Sequence, residues 1–584
     1  MKITAFFKPM FLSLSSFELI KKSLDAIILL LLVSCPMVLS SQEEEKKVSF
    51  DLSYGTNLSY YSYSTDDLGF KPRSTPFDYR LFVNGALNLS DKFSLPFSLA
   101  YAKNNLSANY PVLPDQRPLD YILDPRNNVG LHPSWEWGKL EIGTHTVDYS
   151  ELSSGNVPIF GLGFDLNPGK FRFAASYGYA NTAIEINNGF GIQPEYRQKM
   201  MAVKLGIGKE EKSNASFNVV KVQDEENSIV HDFSLLTPKD NLIASLDSKL
   251  KIGKRIKWIN EIAGSAYTDH TLSQDIGLET ADRYSIPSEL AKTNHTTRSD
   301  YSFLTKLSLE FEKFGISTSA KRLGAGYRNL AFPYLRTDFI DLTVSPRITL
   351  WNGRFNWSNT VGVRQDNLEQ TKGVTTLNKL ISSNISVSPF SALTLAASYT
   401  NYGQKNDEVN DTLKINYISN SLGFNATYRF KLNELNTQIM GSYMESVFDD
   451  FNTFTGAVSD NDQRTYLVGV AFSQKKIKTG FNYMSSVNNQ SLGLVTIQNI
   501  SGRVTYIIGE KKWNISTSVA YSNIEMFDFT PDKQWLVRPE VKWTPTKEIS
   551  LALAGRLRFL KYGDRKSNAF LNEQIIQLNL FQTI

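Results

Sequence analysis

The sequence predicts an all-β chain folded as a single large transmembrane antiparallel β-barrel of about 26 strands, with 24 to 28 as the range. Two observations carry that prediction. Apolar and polar residues alternate with period two from Val48 to Ile584, and the connections alternate between very short turns and long polar loops. A third supports them: aromatic residues reach 12%, with 27 Tyr, 36 Phe and 8 Trp, and most Trp positions fall beside short turns.

The alternation is plain in residues 77–89. Phe77, Tyr79, Leu81, Val83, Leu87 and Leu89 share one face, while Asp78, Arg80, Asn84 and Asn88 share the other. Residues 418–430 repeat it, with Ile418, Leu422, Phe424, Tyr428 and Phe430 set against Ser419, Ser421, Asn425 and Arg429. Predicted strands of about 11 to 17 residues exceed the usual soluble range of about 3–10, which argues against a soluble sandwich. Short turns include Asn167-Pro168-Gly169, Gly253-Lys254-Arg255, Asn352-Gly353 and Thr544-Pro545-Thr546-Lys547. Pro-Gly and Asn-Gly supply the backbone angles of tight hairpins. Between them run polar connections near 104–124, 181–197, 225–240, 269–300, 325–337, 403–413 and 449–462. In a transmembrane barrel the short turns face the periplasm and the long loops the outside, which puts both termini on the periplasmic side.

Strands are expected near 48–64, 77–90, 93–103, 125–132, 136–146, 158–166, 170–180 and 198–208, and in the same rhythm to 568–584. Trp135, Trp137, Trp258, Trp351, Trp357, Trp513 and Trp543 lie within about four residues of a short turn, as an interfacial girdle requires, and Trp535 falls at the loop end. The chain end, with Ile576, Leu578, Leu580 and Ile584 alternating with Gln577, Asn579 and Thr583, reads as a terminal amphipathic strand.

Residues 1–41 read as an export signal and residues 42–584 as the outer-membrane barrel. Lys21 and Lys22 precede an apolar run from Ala26 to Val33, then small residues and Gln42-Glu43-Glu44-Glu45. The run is too short for a membrane helix. Cleavage after Ser40 or Ser41 removes Cys35, the one cysteine; alternatively Leu32-Val33-Ser34-Cys35 is a lipobox and Cys35 carries the lipid. Only a handful of residues then separate the leader from the first strand, so a plug domain is not expected there.

Net charge is +4, about half of it from the leader, so no nucleic-acid partner is expected. His132, His145, His231, His270 and His295 lack metal-ligand spacing, and no cofactor is expected. Gly161-Leu162-Gly163 is followed by no helix and so does not read as a nucleotide loop. His145 with Asp148 and Ser150 is the one local arrangement that could serve a rim enzyme, and the chain is expected not to be an enzyme. The alternation rule turns Asp78, Arg80, Arg172, Lys204, Lys306, Glu310, Arg364 and Arg429 inward, as candidate lumen-lining charges.

Two segments resemble uncharacterised outer-membrane barrel proteins of the Bacteroidota: Phe160-Gly161-Leu162-Gly163-Phe164-Asp165-Leu166-Asn167-Pro168-Gly169-Lys170-Phe171-Arg172, and Gly324-Ala325-Gly326-Tyr327-Arg328-Asn329-Leu330 with Pro333-Tyr334-Leu335. The resemblance implies the fold and an outer-membrane location but no activity. The 324–335 segment is expected to cap or enter the lumen. A barrel of about 26 strands is wide enough to need filling. The expected filling is loops such as 104–124 or 269–300, or another protein. Two functions follow as expectations. One is a subunit of an outer-membrane secretion, assembly or transport complex, in contact with lipid and with other outer-membrane or periplasmic proteins. The other is a self-gated channel for a bulky solute such as an oligosaccharide or peptide.

Overall fold

Alternating side chains commit each strand to one wet and one apolar face, and only closure satisfies the backbone of every strand without leaving an edge. In the computed structural model, antiparallel pairing runs from strand to strand along the chain and closes between Ser49–Thr65 and the last strand, Phe570–Thr583. The closing register pairs Leu58 with Leu578 and Tyr61 with Ile575. The structure describes residues 48–67, 69–74, 76–90, 92–104, 122–125, 127–184, 194–209, 211–229, 236–273, 290–510 and 512–583. The export signal, Cys35 and His231 lie outside the described residues, as do most of 104–124 and much of 269–300.

The barrel has 26 strand positions. Two short segments, Val129–Leu131 and Ser134–Trp135, occupy a single position between Phe93–Asn104 and Gly138–Val147. The break at His132-Pro133 has a simple cause, since Pro133 has no backbone N–H to give the ladder. This corrects the expected strands 125–132 and 136–146: the hairpin turn is Glu136-Trp137, not the residues before it. Elsewhere the observed strands follow the expected ones closely, for example Phe77–Ser90, Gln198–Gly208, Asn214–Asp224 and Ile256–Thr268.

Short turns gather at the end where the first strand begins, at Ser49, and the last strand finishes, at Thr583. The other end is less uniform than expected, because Ile477–Gln490 and Gly493–Ile508 are joined there by just Ser491-Leu492. The outward face is apolar all round: Ile207 is 67% exposed and Ile500 60%, and Leu162, Leu246 and Val468 resemble them. Trp513 and Trp543 stack at 5.5 Å beside the short turns, and Trp135 meets Trp137 edge-on at 5.4 Å. Among the described residues no helix is long and apolar enough to cross a membrane.

Candidate functional site

Directly paired residues on neighbouring strands point to the same side, so one hoop of pairs maps the inner wall. Ser216, Asp247, Glu261, Leu304, Lys321, Asp341, Arg364, Asn378, Gln404 and Tyr417 pair in succession. The hoop is polar and charged, except where something covers it.

The covering is a shelf made by two connections. Residues 148–156, between Gly138–Val147 and Val157–Leu166, and residues 324–338, between Phe314–Leu323 and Phe339–Leu350, fold onto the inner wall. Beneath them Val147, Ile159, Met200, Val220, Ile243 and Leu323 are fully buried, packed with Leu152 and Tyr327 from the shelf itself. An apolar patch inside a hydrated barrel is stable only when covered in this way.

Polar contacts fix the shelf in register. Tyr327 Oη donates to the Leu152 carbonyl at 2.8 Å, and Asn329 Nδ2 donates to the Ser153 carbonyl at 2.9 Å. The Leu152 amide donates to Glu261 Oε1 at 3.0 Å, and the Leu330 amide to Asn241 Oδ1 at 3.0 Å. Glu151 bridges Lys306 at 2.6 Å and Lys321 at 3.1 Å. Partial burial raises the Glu151 pKa, but hydrogen bonds from Lys306 and then Lys321 outweigh it and hold the carboxyl below its ordinary value. The expectation that 324–335 enters the lumen is met. Its partner, 148–156, was not among the expected long loops. The signal for it was available: Met200-Met201-Ala202-Val203 is apolar on both faces, which implies burial on both sides.

The predicted lumen charges all sit on the inner side of the wall, but they do not form one cluster. Lys306 joins the shelf through Glu151, and Lys204 Nζ donates to the Tyr149 carbonyl at 2.6 Å. Lys204 and Arg172 line one cavity of about 360 Å³, together with Lys139, Glu141, His145 and Asp247. The others lie apart. Arg80 is 3.9 Å from Asp78, Glu310 pairs with Arg347, Arg364 Nε is 3.2 Å from Asp341, and Arg429 Nε donates to Gln438 at 3.0 Å.

Of the residues considered for a rim enzyme, His145 and Asp148 line one cavity, and Ser150 is turned to other partners. His145 Nδ1 lies 3.0 Å from the Gly143 carbonyl and Nε2 lies 3.2 Å from Ser176 Oγ. Ser150 turns instead to Ser153 and Ser245. The described residues contain no cluster of His, Cys, Asp and Glu able to hold a metal ion.

No family model matches the chain, and a search of curated proteins finds no match. Solved structures similar to it include the P pilus usher (PapC) translocation pore, at 8% identity over 91% of this chain and 100% of that one, with a TM-score of 0.39. OccAB2 of Acinetobacter baumannii matches at 12% identity over 63% of this chain and 97% of that one, with a TM-score of 0.30. OpdK of Pseudomonas aeruginosa matches at 9% identity over 66% and 99%, also with a TM-score of 0.30. The fold assignment stands on the strand pairing and closure of this chain itself.

Proposed function

We propose that this chain is an integral outer-membrane transport barrel, a subunit of a secretion, assembly or transport complex, whose wide lumen is narrowed by its own 148–156 and 324–338 connections. The apolar outer face suits lipid, and the short-turn end with both termini faces the periplasm in this reading. The observation that carries it is the shelf. Among the described residues it fills one side of the lumen with a buried, hydrogen-bonded layer, and the described inner face from Thr376–Phe390 to Trp513–Met526 lies outside that layer. A barrel of 26 strand positions is wide enough to pass a large cargo or hold a second protein beside such a layer.

The bridge from Glu151 to Lys306 and Lys321 favours a second reading, a self-gated channel for a bulky solute, since it is a polar contact that can open without unfolding the wall. Purification from native membranes in mild detergent separates the two. A partner that co-purifies in fixed proportion supports the complex. A lone barrel with steady conductance in a planar bilayer supports the channel.

A further inference from the structure

The wall facing away from the shelf has its own composition. From Thr376–Phe390 through Trp513–Met526 its inner face is built mainly from Ser, Thr, Asn, Gln and small residues. The inward charges on these strands are Arg429, Lys431 and Lys478 at the short-turn end, Asp450 at the loop rim, and Arg503 between. The shelf side is different, with Glu310–Arg347, Asp341–Arg364 and the Glu151 bridge.

Near the loop end of this mostly uncharged wall, three aromatic rings from adjacent strands form an arc. Tyr402 and Tyr417 have centroids 6.2 Å apart, and Tyr417 and Phe448 5.1 Å. The register puts all three inward: Tyr402 pairs with Ser419, which pairs with Phe448, and Tyr417 pairs with Gln404. Amides hold the hydroxyl edges. Tyr417 Oη donates to Gln404 Oε1 at 2.7 Å, and Tyr402 Oη donates to Asn378 Oδ1 at 3.0 Å. The rings are half-buried, so part of each remains open.

We propose that this arc is a binding subsite for a neutral oligosaccharide. Sugar rings present one face of C–H groups and a rim of hydroxyls. Rigid aromatic faces flanked by amide donors and acceptors match both features. The hydroxyls and amides around the arc offer such a solute exchangeable hydrogen bonds, while Asp450, paired directly with Tyr417, disfavours a polyanion at the arc itself. The inference rests on the transport reading above and names the solute class for it.

The test uses the full-length barrel in detergent, titrated calorimetrically with maltohexaose, cellohexaose and chitohexaose, and with hexagalacturonate as the charged comparison. The same preparations are recorded in planar bilayers. At least one neutral hexasaccharide is expected to bind more tightly than hexagalacturonate. Its affinity should fall about tenfold or more in Tyr417→Ala and Phe448→Ala and persist in Tyr417→Phe, which keeps the ring. Heat-modifiable gel migration checks that each variant is folded. Absence of neutral-sugar binding up to about 10 mM, or equal binding by wild type and the alanine variants, overturns the subsite. Conductance without sugar binding overturns this inference and leaves the transport reading standing. Sugar binding without conductance does the reverse.

Discussion

The hydroxyl of Tyr327 donates to the backbone carbonyl of Leu152 at 2.8 Å, joining two connections that lie 175 residues apart in the chain. Both side chains are fully buried, so each loop supplies part of the other's core. Leu152→Ala is expected to cost about 2–5 kcal/mol and Tyr327→Ala about 3–5 kcal/mol of shelf stability. Because the two groups touch, the double variant should cost less than the sum. Proteolytic nicking of 324–338 in the otherwise intact barrel measures this. Strict additivity would mean that the two loops do not act as one unit.

Replacing only the hydroxyl tests the hydrogen bond separately. Tyr327→Phe should lose about 1 kcal/mol, since the Leu152 carbonyl is also within 3.3 Å of Asn329 Nδ2. Nicking rates for Tyr327→Phe should therefore lie between those of wild type and Tyr327→Ala.

Glu151 gives the shelf a dependence on acid. Its folded pKa lies below the ordinary 4.5, so its contribution is present above that value and is lost as pH falls through the lowered one. The side chain is 42% exposed, which limits the contribution to at most about 1 kcal/mol after solvent screening. Current fluctuations should increase in acid, below pH 4.5, and Glu151→Gln should show them at neutral pH with no further acid response. An unchanged acid response in that variant would assign the effect elsewhere.

Ile500 and Ser501 are neighbours on opposite faces of Gly493–Ile508. Ile500→Arg places a charge on the lipid side near mid-strand and should cost about 2–4 kcal/mol, with a clear loss of folded barrel in membranes. Ser501→Arg faces the lumen and should leave the yield close to wild type. Equal yields for both would argue against a membrane around this wall.

Much of this was legible because alternation and turn chemistry are local. Phe77–Ser90 shows its two faces in its own sequence, and Asn167-Pro168-Gly169 marks its own hairpin. Inward placement of charges such as Lys306 and Arg364 followed from the same parity. What escaped was long-range. Pro133 broke a strand without ending it, because Ser134–Trp135 resumes pairing with both neighbours. The 148–156 connection looked unremarkable, and its importance lies in Leu152 meeting Tyr327 and Glu261. The aromatic arc joins Tyr402, Tyr417 and Phe448, whose closeness depends on register between three strands.

A membrane pore narrowed by its own shelf must conduct more when the shelf is removed. Single-channel conductance tests this most directly, comparing wild type with a variant in which residues 327–335 are replaced by a short Gly-Ser linker. A folded barrel is expected whose conductance rises several-fold and becomes noisier once Tyr327 and Asn329 no longer hold the 148–156 connection and Leu330 no longer anchors to Asn241. A folded variant with the same conductance as wild type, or with none in either protein, would contradict a pore narrowed in this way.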